Sequence, residues 1–163
     1  MQQYILDHLQ KHDVHYVLHA HPPVFTCEEA EKHCCNIPGL ACKTLFLKSK
    51  KGESYFMVLM PAERRLQMKL LSPILGAKEL TFAKPEELQS ILGLTPGSVS
   101  PLGLLNDREQ RVTKVLVEQG VWDAPIVGFH PNINTETLEF AQVDFHKLMA
   151  SFPHGYAVQA LPA

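Results

Sequence analysis

The chain has 163 residues, 45% of them hydrophobic and 20% charged, with a net charge of −2. That length suits one domain with a real core, spanning residues 1–163, and that composition excludes intrinsic disorder. The slightly negative total also excludes broad coating of nucleic acid, which needs many Lys and Arg contacts to phosphate, but leaves room for a small footprint on one RNA end.

No stretch approaches the roughly 20 apolar residues of a membrane span. The polar start MQQYILDHLQKHD carries no secretion signal, so a cytoplasmic location is expected. Residues 3–12 should be helical, with Ile5 and Leu9 one turn apart. VHYVLH (14–19) alternates and reads as a strand; His15 and His19 share its face, and His21 lies past its end. A solvated face is the plain reading of these histidines.

His21-Pro22-Pro23 breaks the chain. Thr26-Cys27-Glu28-Glu29 then fits a capping box that opens a short helix at about 27–35. The four cysteines are Cys27, Cys34, Cys35 and Cys42, read as reduced thiols in the absence of a secretion signal. They include no C-x-x-C pair, so the spacing of a structural zinc site is missing despite His19, His21 and His33. Cys27, Ala30 and Cys34 fall on one helix face, as small core residues do. No metal and no cofactor is expected.

LFLKSKKGESYFMVLM (45–60) reads as two strands around a charged turn, and Pro61 ends the second. LQMKLLSPIL (66–75) has helical composition, but Pro73 makes the helix short, kinked or late. LTFA (80–83) is a short strand, and Pro85 suits the first turn of the helix PEELQSIL. GLTPGSVSPLGLLND (93–107) is long for a connection, and long ordered loops are often functional. RVTKVLVEQG (111–120), IVGFHP (126–131) and TLEFA (137–141) read as strands. Phe145, Leu148, Met149 and Phe152 follow helical spacing within 142–152, and YAVQAL (156–161) suits a closing edge strand. The expected fold is α/β of the α+β kind. It has a curved, mixed, largely antiparallel sheet, partly barrel-like and flanked by helices.

Several features can carry chemistry. Lys43 opens a strand and shares a face with Leu45 and Leu47. It either snorkels to water or is held inside as a fixed cation or a base. GSVSP (97–101) is either a surface turn or a loop whose backbone meets a ligand, because Gly97 permits unusual angles. GFHPNINT (128–135) offers His130, Asn132, Asn134 and Thr135 at a strand end, for recognition or for turns closed by Asn side chains. Cys42 beside Lys43 suggests a thiol nucleophile, but nothing in the sequence places His130 next to it.

The order of six stretches narrows these choices. HPPVFTCEEAEK, IPGLACKTLFLKSKKG, MPAERRL, LGAKELTFAKPEEL, LGLTPGSVSPLGLLND and VGFHPNINTETL together resemble the YbaK/ProX family of aminoacyl-tRNA deacylases. That family includes the editing domain inserted into bacterial prolyl-tRNA synthetases. The likeness is greatest to its freestanding branch that removes alanine from mischarged tRNA-Pro, and it runs from about residue 14 to about 150.

The resemblance implies hydrolysis of an aminoacyl ester with no cofactor, Lys43 being the residue required for activity. It implies substrate contacts from Gly97, Ser98, Val99, Ser100 and Pro101, the family's GxxxP loop, and from His130, Asn134 and Thr135. The implied partner is the acceptor end of mischarged tRNA-Pro, with prolyl-tRNA synthetase a further candidate. Thr44 stands where Asn is common in this branch, Ile133 where a small polar residue or valine is, and Glu136 where alanine is. The alternatives left open are a deacylase for Cys, Ser or Thr, or a non-catalytic module that binds an amino acid or the synthetase.

Overall fold

In the computed structural model, which describes residues 1–22, 37–50 and 54–161, strand β3 (Tyr55–Pro61) is buried at every position. It lies between β2 (Leu40–Ser49), to which it is antiparallel, and β5 (Val112–Glu118), to which it is parallel. Each of its faces meets a different core. Tyr55, Met57 and Leu59 join the larger core with Phe46, Val115 and Val117. Phe56 and Val58 join a smaller core with Leu47 and Leu116. A strand covered on both faces needs apolar residues at both parities, which is why YFMVLMP shows no alternation.

The remaining strands are β1 (Val17–Ala20), β4 (Leu80–Phe82), β6 (Ile126–Phe129), β7 (Glu136–Ala141) and β8 (Ala157–Gln159). The sheet runs β1-β7-β6-β2-β3-β5-β8, with β4 also pairing β2. Pairs β1–β7, β6–β7, β2–β3 and β2–β4 are antiparallel, and β2–β6, β3–β5 and β5–β8 are parallel. The fold is therefore the mixed α/β arrangement that the sequence implies.

Helices cover both faces. Ile5 and Leu9 of α1 (Gln3–Lys11) enter the larger core. Leu71 and Leu75 of α2 (Met68–Leu75) form the lid of the smaller core. Pro73 lies inside α2, which begins only at Met68, the short and late form of the expected helix. Helix α3 (Pro85–Leu92) starts on Pro85 as expected and buries Leu88, Ile91 and Leu92. A 3-10 helix spans Pro101–Asn106, α4 spans Gln119–Asp123, and α5 (Gln142–Ala150) buries Phe145, Leu148 and Met149.

Two differences from the sequence reading stand out. Strand β1 begins at Val17 rather than at residue 14. Val14 instead turns into the core behind Asp13, whose φ is 54°. Helix α4 was not foreseen; five residues leave no periodic trace. The helix expected at 27–35, with its capping box, Cys27, Cys34, Cys35 and His33, lies outside the described residues. Among the described residues, no helix is long and apolar enough to cross a membrane.

Two polar clusters, one buried and one partly exposed, fix the frame. Asp107 accepts hydrogen bonds from Arg111 N at 2.9 Å and Val112 N at 2.9 Å. It also faces His154 Nε2 at 2.9 Å, with both side chains almost fully buried. Elsewhere Glu87 accepts from Lys84 N at 3.0 Å, from Lys48 Nζ at 2.8 Å and from the Tyr55 hydroxyl. The bonds from Lys48 and Tyr55 push the Glu87 carboxyl down to about 2 from an ordinary 4.5.

A depressed carboxyl stabilises the fold above its ordinary value, and that contribution fades as pH drops from 4.5 towards about 2. Solvent screening keeps it small at this partly exposed site. Urea midpoints should therefore fall between pH 5 and 3 by more in the native protein than in Glu87→Gln. Equal falls would remove this role for Glu87.

Candidate active site

Strand β2 is held on one edge by β3 throughout and on the other by two different neighbours. Leu40 and Ala41 pair with Val127 and Gly128 of β6, and Leu47, Lys48 and Ser49 pair with β4. Lys43 lies on the stretch between them, opposite Met60 of β3. Its side chain is on the smaller-core face and half-buried, and Nζ donates to the carbonyl of Arg64. That carbonyl sits in the turn after β3, where Ala62 N reaches back to Ala41 O at 2.9 Å and Arg64 N to Pro61 O at 3.2 Å. An ammonium has three protons to donate, so two remain after the Arg64 contact.

The parallel register puts a second predicted residue on the same face of the sheet. Two positions past the Ala41–Gly128 pair come Lys43 on β2 and His130 just beyond β6, both on the face of Ala41 and Gly128. A Cβ on Gly128 would lie 3.3 Å from Thr137 Cγ2, so this position leaves little room for any side chain. His130 Nδ1 is 2.8 Å from Glu136 O, and only a protonated Nδ1 can make that bond. Burial lowers the His130 pKa, partly opposed by the Glu136 bond, so the ring is neutral near pH 7 and Nε2 is an acceptor.

His21 completes this corner. Its N donates to Thr135 O at 2.9 Å, and its ring lies 5.8 Å from that of His130. His21 Nδ1 is 2.8 Å from Pro22 O and so carries its proton there; Nε2 then accepts from Thr137 Oγ1 at 2.7 Å. His19 Nε2 pairs with Glu139 Oε1 at 2.9 Å. His15 is exposed, as expected of a solvated face, but His19 and His21 are not simply solvated. Strand β7 faces them with Thr137 and Glu139, a pairing invisible in the local pattern.

The Gly97–Pro101 loop is rigidly built. Gly97 has φ +90°, a left-handed conformation that favours glycine. Ser98 and Ser100 are buried, and Ser100 Oγ accepts from Leu102 N at 3.0 Å to cap the 3-10 helix that starts on Pro101. Val99 packs on the larger core, whereas Lys43 projects from the smaller-core face.

Tyr4 links the two predicted loops. Its hydroxyl accepts from Asn132 Nδ2 at 3.0 Å and from Asn106 Nδ2 at 3.2 Å, at the far end of that 3-10 helix. Asn134 is half-buried, and Thr135 is exposed and engages His21 through its carbonyl. Sequence reasoning missed Tyr4, Thr137 and the partners of Arg64. Only Thr137 had a local signal, two positions after Thr135 on the same strand parity.

Cys42 does not offer a nucleophile. It packs on the larger core, its Sγ is 3.4 Å from Leu40 O, and burial pushes the thiol up to about 12. Such a thiol stays protonated at neutral pH. Among the described residues, no group of three His, Cys, Asp or Glu side chains is placed to hold a metal ion.

Thr44 is buried opposite Leu59, and its Oγ1 has no hydrogen-bond partner among the described residues. Replacing an unsatisfied buried hydroxyl by a methyl group costs little. Thr44→Val should therefore melt within about 1 kcal/mol of the native protein. A loss of several kcal/mol in chemical denaturation would reveal a partner for Thr44.

With this geometry in place, comparison with known proteins is decisive. Residues 21–148 match the family model of the aminoacyl-tRNA editing domain. The chain belongs to that family. Like other aminoacyl-tRNA editing domains it is an aminoacyl-tRNA deacylase, a hydrolase of carboxylic esters. It is 32% identical over 148 residues to "Prolyl-tRNA editing protein ProX" of Acetoanaerobium sticklandii, covering 91% of this chain and 90% of that one. It is 34% identical over 135 residues to "Prolyl-tRNA synthetase associated domain-containing protein 1" of Danio rerio, covering 82% and 73%. A crystal structure described as "a putative trans-editing enzyme for prolyl tRNA synthetase" shares the editing-domain fold. Its TM-score is 0.74 at 16% identity, over 100% of this chain and 99% of that one.

Proposed function

We propose that this editing domain acts in trans on mischarged tRNA-Pro, with alanine as the preferred aminoacyl group and Lys43 as the catalytic residue. The observation that carries the reading is that Lys43 and His130 each follow the paired Ala41 and Gly128 by two positions, on one face of the sheet. Water attacks the ester carbonyl carbon, the bond to the ribose oxygen breaks, and that oxygen takes a proton. Free amino acid and deacylated tRNA leave. The two protons of the Lys43 ammonium that are uncommitted among the described residues stabilise negative charge on the reacting ester or the adjacent ribose and phosphate, as held cations do in acyl transfer.

The neutral His130 Nε2 accepts a hydrogen bond from the substrate ammonium or from the attacking water. The Gly97–Pro101 backbone, with Asn134 and Thr135, contacts the aminoacyl group; this assignment follows the family motif. Size supplies the selectivity, since a pocket fitted to alanine excludes proline sterically.

The RNA footprint is small. Lys48 is committed to Glu87 and Arg64 to Glu118, so neither is a free surface charge. Lys69 and Lys78 line a surface groove of about 380 Å³ between α2 and β4, with Lys50, whose Nζ is 3.6 Å from Glu79 Oε2 in the same lining. That groove suits RNA phosphates on the face of the sheet that α2 covers.

The test is a deacylation assay with Ala-tRNA-Pro, Pro-tRNA-Pro, Cys-tRNA-Pro and Ser-tRNA. Release of alanine ahead of the others supports the reading. Preferred release of cysteine or serine moves the substrate within the family, and calorimetric binding without any turnover makes the chain a binding module. The lowered His130 pKa adds a pH signature. A histidine whose pKa is lowered from the ordinary 6.5 shifts the acid limb of kcat/KM to below that pH. An acid limb already centred near pH 7 would rule out His130 as its source.

A further inference from the structure

MPAERRL carries part of the family likeness, yet the mechanism gives it no task. Arg64 within it is the residue whose carbonyl receives the Lys43 ammonium. Its own guanidinium is clamped at two points, with Nη1 2.8 Å from Glu118 Oε1 and Nη2 2.7 Å from Leu161 O. Glu118 ends β5 and is almost fully buried, and its Oε2 accepts from Gly120 N at 2.6 Å at the start of α4. A Cβ on Gly120 would lie 2.8 Å from that oxygen, so the carboxylate occupies a seat that only glycine leaves open. Three parts of the chain thus converge on one loop: the exit of β3, the end of β5 and the stretch after β8.

We propose that Arg64 and Glu118 are positioning residues for Lys43, their ion pair fixing the loop carbonyl that aims the lysine ammonium. This rests on the reading of Lys43 as the catalytic group. A half-buried ion pair seldom adds much stability, because desolvation offsets its attraction. Holding a carbonyl in place is a different service. One ammonium proton tied to Arg64 O sets the direction of the other two, so they meet the ester without reorganisation. Loosening the loop lets the cation wander, and misplacement by about 1 Å can cost a hundredfold in rate.

Glu118→Gln is the sharp test. An amide has one oxygen, so it can serve Arg64 or Gly120 but not both. Turnover of Ala-tRNA-Pro should fall about tenfold in kcat with KM unchanged, since neither residue contacts substrate. In the Lys43→Ala background the same change should cost nothing further, because the group it positions is gone. Arg64→Lys, a milder change that reaches only one of the two acceptors, should repeat the pattern at smaller size.

Equal losses in both backgrounds, a loss confined to KM, or no loss would overturn the proposal. A protein that cleaves no aminoacyl ester would sink the function reading but still leave the positioning claim decidable. The ¹⁵N-ammonium resonance of Lys43 should then be sharp in the native protein and broadened in Glu118→Gln. An unchanged signal would end the claim.

Discussion

Lys43→Ala should lower kcat for Ala-tRNA-Pro about 10²–10³-fold while leaving the protein folded. Removing one held donor or cation from an acyl-transfer site has this order of effect, because the charge that develops on the ester loses a group placed to meet it. The fold loses little, since Lys43 is half-buried and its one described bond goes to a loop carbonyl. Lys43→Arg separates the two mechanisms. A guanidinium remains a cation and restores part of the rate if Lys43 serves as a fixed charge. It cannot surrender a proton, so it restores nothing if Lys43 is the base. Full activity of Lys43→Ala in a quenched-flow or filter assay would remove the lysine from the mechanism altogether.

Asp107→Ala should produce the largest loss of stability from a single polar side chain. Three donors lose their acceptor at once: Arg111 N, Val112 N and His154 Nε2. Breaking a buried, hydrogen-bonded charged group costs about 3–5 kcal/mol, because the partners stay behind without water. In a chain of this size that lowers the thermal midpoint by about 10 °C. Asp107→Asn keeps one acceptor oxygen and should fall in between. The activity at 25 °C should persist where the variant is folded, since Asp107 lies outside the Lys43–His130 corner. A midpoint within about 2 °C of the native one would show the cluster to be dispensable.

These two sites show what the amino-acid pattern can carry. Ile5 and Leu9, the Pro85 helix start, the β2–β3 hairpin and the Phe145–Phe152 stripe are local signals, and the structure has them all. Lys43 was conspicuous because an ammonium opens an apolar strand face. Its partner was not, because a backbone carbonyl 21 residues away leaves no mark on the sequence. The same holds for Asp107 and His154, which are 47 residues apart, and for His21 with Thr137, 116 apart. The parallel pairs β2–β6, β3–β5 and β5–β8 join distant segments, so their register could not be read from neighbours in the chain. That register also puts His130 on the same face of the sheet as Lys43.

The β2–β3 ladder has a consequence for how the gene can change length. Seven consecutive pairs, from Cys42–Pro61 to Lys48–Tyr55, lock the two strands together. Sliding β2 by one residue would turn every side chain to the opposite face. Lys43 would enter the larger core, and Thr44 or Cys42 would take its place on the smaller-core face. An insertion or deletion of one codon between Ala41 and Leu47 is therefore a catalytic lesion even where the protein still folds. Codons added or lost between Ser49 and Tyr55, outside the paired residues, leave the ladder and the lysine where they are.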